Sequence, residues 1–266
     1  MRVQGRFLVS TVGSMLTFMV SAALAVTPLP NPPFTGGGFV PPDKDTGKAE
    51  DSIAAALSKF GPAYPACIAK VVSGLFAAAG DAAKVAKANA GFTACVAKVN
   101  VTFDAARDKA VAKGTLPACL GATQIDALRT SLVTQIGLLT PIVNCEAGGG
   151  TDPTSGFKIP GTKDILGAEA AVTKTAVKAG SAVGACFRKT VQGIFKAAGD
   201  GAKITAALTA HDACVAQASA KGTAGIQKVV GTGTLPSCLP GATAQTLVNA
   251  AVALGGAFTD EISCAQ

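Results

Sequence analysis

The chain has 266 residues, a formal charge of +7, 49% hydrophobic residues and only 5% aromatics, with no Trp and one Tyr. The positive charge is dispersed, without the clustered Lys/Arg and interleaved aromatics of a nucleic-acid binder, so no nucleic-acid partner is expected. Much of the hydrophobic share is alanine, which buries little area, so a domain of about 100 residues built this way is marginal on burial alone.

In chain order, the first 25 residues read as a secretory signal. Arg2 and Arg6 supply the positive region, Phe7 to Leu24 the apolar stretch, and Ala23-Leu24-Ala25 the cleavage motif. If this segment is retained, it becomes a membrane anchor near the lower length limit for a span. Without Arg2 and Arg6, 21 basic residues face 16 acidic ones, a net of +5. Residues 26–46, with six prolines and Gly36-Gly37-Gly38, read as a linker, and residues 147–163, with Gly148-Gly149-Gly150, Pro153 and Pro160, as a second.

The cysteines organise the rest. Cys67, Cys95, Cys119 and Cys145 are spaced by 28, 24 and 26 residues, and Cys186, Cys214, Cys238 and Cys264 repeat that spacing 119 positions later. Between first and last cysteine the copies align without a gap, with roughly a third of positions identical. Ala78-Ala79-Gly80-Asp81 matches Ala197-Ala198-Gly199-Asp200, and Gly114-Thr115-Leu116-Pro117 matches Gly233-Thr234-Leu235-Pro236. Two units, 47–146 and 164–266, are expected, each an all-α bundle of one short leading helix and three long ones.

Within copy one the short helix is predicted over about 48–59, stopping near Gly61-Pro62. Ile68, Val72, Leu75, Ala79 and Ala83 mark the first long helix. Phe92, Val96, Val99, Phe103, Ala106 and Ala110 form an apolar seam on the second, and Ile125, Leu128, Leu132, Ile136, Leu139 and Val143 on the third. Gly114 and Gly233 suit the residue just past a helix end, where positive φ favours glycine.

The pairing of the cysteines depends on where the first long helix turns. With the turn at Asn89-Ala90-Gly91, helix rise places Cys67 level with Cys119 and Cys95 level with Cys145, and a disulfide closes only between cysteines of one level. The expected bonds are then Cys67–Cys119, Cys95–Cys145, Cys186–Cys238 and Cys214–Cys264. A turn at Gly80-Asp81 instead sets Cys67 opposite Cys95, but leaves Cys119 and Cys145 without partners in their own copy.

Candidate chemistry is sparse. His211 is the only histidine and is placed at a turn before the second helix, as a turn or cap residue. Asp81 and Asp200 suit a helix kink or an i,i+3 contact with Lys84 and Lys203, and Glu50 and Glu169 offset a helix dipole. Phe76 and Phe195 are read as core residues or, less simply, cavity walls. No C-x-x-C, phosphate loop or calcium loop is present. No catalytic, cofactor or metal residue is expected.

The reading is an exported, non-catalytic structural or interaction protein with an unknown protein partner. The alternative is a carrier of an apolar ligand or lipid. A pocket of roughly 300 Å³ or more lined by Phe76 favours the carrier, and a packed alanine seam favours a scaffold.

Overall fold

A computed structural model describes residue 41 and residues 43–263. The signal, most of the first linker and Cys264 lie outside these. The described chain is all-α. Helices α1 (Lys44–Ala78), α2 (Ala82–Ala112) and α3 (Ala122–Val143) are followed by α4 (Lys163–Ala197), α5 (Gly201–Gly231) and α6 (Gly241–Ile262). Each helix of the second half starts and ends 119 positions after its counterpart, the offset of the cysteines.

The leading helix expected to stop at Gly61-Pro62 does not stop. α1 runs for 35 residues with Pro62 and Pro65 inside it. A proline in a helix interior costs about 3 kcal/mol. Against that, α1 buries Ile53, Leu57 and Phe60 before the prolines and Ile68, Val71, Val72 and Leu75 after them. At roughly 1.5–3 kcal/mol for each buried large side chain, burial outweighs the two interruptions.

The first turn lies at Ala79-Gly80, not at residues 89–91. Ala79 and Gly80 have φ of 48° and 84°, and Ala198 and Gly199 repeat this at 48° and 86°. Positive φ is rare for alanine, and here the tight reversal between two packed helices imposes it. Asp81 and Asp200 then cap α2 and α5. The Asp81 carboxylate accepts from the N–H groups of Ala83 and Lys84, and Asp200 from those of Ala202 and Lys203. Gly91 is carried inside α2, where glycine costs only about 1 kcal/mol. The expected helix end after α2 is present: Gly114 and Gly233 have φ of 67° and 68°.

The two copies are tied together by more than the 147–163 segment. Val143, the last residue of α3, is buried with Val172, Leu239, Leu247 and Val248 of the second copy. Its counterpart Ile262, the last residue of α6, is buried with Leu120, Ile125 and Leu128 of the first. Each third helix thus ends in the other copy's core. Arg188 of α4 adds a two-point ion pair to Asp51 of α1, at 2.8 and 3.0 Å.

The segment between the copies is packed rather than loose. Thr151 and Lys158 form an antiparallel bridge, and backbone bonds join Gly149 and Gly150 to Ile159. Phe157 sits edge-on against Phe92 of α2, and the buried Asp152 accepts from Ser155 N–H and Asn89 Nδ2. Gly149 is required here, since a Cβ would lie 2.9 Å from the Pro160 carbonyl oxygen and from the Ile159 side chain. Close backbone approach, which glycine alone permits, gives this Gly/Pro-rich stretch its packing.

The halves differ in how the third helix is held. In the second copy α6 packs closely along α4, where Gly180 meets Ala251 and Gly255. A Cβ on Gly180 would sit 2.5 Å from the Ala251 carbonyl oxygen, and one on Gly255 would run into the Gly180 carbonyl. The corresponding residues of the first copy are Gly61, Leu132 and Ile136, and a Cβ on Gly61 would meet nothing nearer than Leu132 Cδ2 at 3.8 Å. There α3 is held instead by a charged clasp to α2. Arg107 pairs with Asp126 and Arg129 with Asp104, at 2.5 and 2.6 Å, and Arg129 lies over the Phe103 ring. Where the first copy has Arg107 and Arg129, the second has the buried Ile226 and Val248. Gly255→Ile, which installs the first copy's residue, is expected to cost about 3 kcal/mol in chemical denaturation, since backbone has to move. A midpoint shifted by less than a third of that would mean the α4–α6 contact is not close.

Candidate functional site

The cysteines are the most constrained chemistry in the molecule. Cys67 is bonded to Cys95 and Cys186 to Cys214, with Cα atoms 5.7 and 5.8 Å apart. Each bond staples a two-helix hairpin, α1 to α2 or α4 to α5. Cys145 is bonded to Cys238, 6.0 Å away between Cα atoms and in the other copy. Cys119 is disulfide-bonded, and no described cysteine is free.

The pairs Cys67–Cys119, Cys95–Cys145, Cys186–Cys238 and Cys214–Cys264 expected from helix levels are therefore not formed. The error lies in the turn. With α1 and α2 meeting at Ala79-Gly80, Cys67 and Cys95 are each 14 residues from Asp81 and face one another. The objection to that turn was two thiols without partners in their own copy. It disappears because Cys145 finds its partner in the other copy. Disulfides of this kind belong to an oxidising compartment.

His211 lies inside α5, not at a turn. Its ring is edge-on to Phe187, with centroids 4.4 Å apart, and Nδ1 is 3.0 Å from Thr190 Oγ1. The Thr190 hydroxyl already donates to the Cys186 carbonyl, so Nδ1–H is the donor to Thr190. Burial pushes the imidazole below its ordinary pKa, against the opposing pull of Asp212 and the Cys186 carbonyl. A neutral ring that donates to a committed hydroxyl pins α5 to α4.

Glu169 is the group that sequence reasoning placed wrongly. It was expected near a helix start, offsetting the dipole; it lies in the second turn of α4 and is fully buried. Its carboxylate accepts from the Glu146 N–H at 3.3 Å, just past Cys145. Burial pushes it up to about 7, helped by the nearby Glu146 carboxylate; the Glu146 and Cys145 N–H groups and the Lys158 ammonium pull the other way. Lys158 Nζ also donates to the Cys145 carbonyl at 3.0 Å. Glu169 therefore anchors the chain where the cross-copy disulfide begins. Glu50, its counterpart in α1, is buried as well. The recurrence of a glutamate at both positions was the available signal.

Among the described residues two concave regions stand out. One is an apolar cavity of about 170 Å³ between α1, α3, α4 and α6, with walls that include Leu57, Ile68, Ile136, Leu139, Val177 and Leu254. The other, about 470 Å³, is a cleft of mixed lining at the start of α1, where Phe195, Val191 and Ala54 lie beside Lys44, Lys48, Asp51 and Arg188. Phe76 lines neither. The apolar cavity falls short of the roughly 300 Å³ set for a lipid-sized carrier. Among the described residues no cluster of three or more His, Cys, Asp or Glu side chains is arranged to hold a metal.

The fold and its cysteines define a disulfide-braced all-α protein whose halves carry the same three helices and exchange the ends of the third. No family model matches the chain, and no curated protein or solved structure is significantly similar to it.

Proposed function

We propose that this is an exported, non-catalytic protein that acts by presenting a rigid helical surface to a partner. The disulfide frame carries the reading. It ties together elements that alanine-rich helices hold weakly, and such bonds are characteristic of oxidising compartments. The signal expected over residues 1–25 supplies the route. Asp81, Asp200, His211 and Glu169 are each engaged in capping or anchoring, which supports a role without chemistry. The α1–α2 and α4–α5 hairpins offer the same stapled shape twice, an arrangement suited to two like sites on one partner.

The test uses the full chain in its source cells. A photo-crosslinking residue is placed at Lys84 or at its counterpart Lys203, both exposed near the hairpin tips. A discrete adduct of the same partner from both positions is expected, on protein whose N-terminus begins near Val26. Cytoplasmic protein with reduced thiols, or no adduct from either position, would overturn the proposal.

A further inference from the structure

We infer that the cavity between the two copies is a binding site for one small, uncharged apolar molecule of about the size of a single ring. The cavity follows from the difference between the third helices. In the second copy Gly180, Ala251 and Gly255 let the backbones of α4 and α6 touch. In the first copy Leu132 and Ile136 occupy the places of Ala251 and Gly255 and hold α3 away from α1. Pro62 and Pro65 line the facing side of α1, where the second copy has Ser181 and Gly184. The far side of the space thus opened is formed by α4 and α6 of the other copy.

The walls define the occupant. No charged side chain lines the cavity. Two hydroxyls in its wall are spent on their own helices: Thr140 Oγ1 donates to the Ile136 carbonyl at 2.8 Å, and Thr173 Oγ1 to that of Glu169 at 3.0 Å. Ser58, Asn144 and Ser181 are the other polar residues of a wall that is otherwise aliphatic, and an apolar cavity of about 150 Å³ lined by aliphatic side chains takes up benzene. At about 170 Å³ this cavity fits a ligand of that class. The site does not rest on the partner-binding role proposed above, and its test is independent of it.

The oxidised mature protein, labelled on Ile, Leu and Val methyl groups, is titrated with benzene and separately with benzoate. Benzene is expected to give saturable shifts confined to methyls of α1, α3, α4 and α6 around the cavity, and benzoate none. Ala69→Leu adds bulk to the α1 wall and is expected to abolish the shifts. Leu139→Ala enlarges the space and is expected to admit naphthalene, which the parent protein refuses; this arm stands even if the first variant is unstable. Shifts that do not saturate, that spread over α2 and α5, or that survive Ala69→Leu would overturn the site, as would equal response to benzoate.

Discussion

Replacing Cys145 and Cys238 together by alanine is expected to lower the unfolding free energy by about 4–5 kcal/mol, the chain-entropy value for a closed loop near 100 residues. The separation here is 93. The expected loss exceeds that for Cys67–Cys95, whose 28-residue separation corresponds to about 3.5 kcal/mol on the same scale. The contrast is sharpened by packing. α1 and α2 also pack along one another over their length, whereas α3 is stood off by Leu132 and Ile136 and depends on its charged clasp and on Val143 in the far core. Guanidinium denaturation of the two double variants measures both values. A loss under about 1 kcal/mol for the Cys145/Cys238 variant would show that the cross-copy bond is incidental. Non-reducing peptide mapping of the parent belongs with this experiment.

The second large effect is a pH dependence set by Glu169. Its folded pKa of about 7 lies above the ordinary 4.5. Between these values the folded protein holds a proton that the unfolded chain has released. The contribution of Glu169 to stability is therefore greatest below about pH 4.5, falls as pH rises through the window, and levels off above about pH 7. At 1.36 kcal/mol per pH unit, the upper bound on the loss is about 3 kcal/mol. Glu169→Gln keeps an acceptor for the Glu146 N–H without the charge. The variant is expected to match the parent near pH 4 and to exceed it at pH 8 by up to that amount, read from urea midpoints at the two pH values. Equal midpoint differences at both pH values would show that the buried carboxylate carries no penalty.

The helical class, the duplication and the apolar seams were legible because each is a pattern of local period. Phe103, Ala110, Ile125 and Leu128 are buried on the faces that periodicity marks. The positions of the turns were not legible in the same way. Gly91 with Asn89 resembles a helix end as strongly as Ala79-Gly80 does, and Pro62 resembles a stop. Tertiary burial along α1 carried that helix through Pro62, at an energy larger than the local penalty. The pairing of the cysteines inherited that error, since a helix boundary moved by ten residues changes which cysteines share a level. The cavity was written in the sequence as the exchange of Ala251 and Gly255 for Leu132 and Ile136. It becomes visible only once α3 and α6 are known to face α1 and α4.

The bond between Cys145 and Cys238 also changes what a cut in the chain does. It closes residues 145–238 into a covalent ring that contains the whole segment between the copies, α4 and α5. A protease that nicks residues 147–162 opens the ring without releasing either half. In an environment rich in proteases, the protein would survive as two chains with one fold.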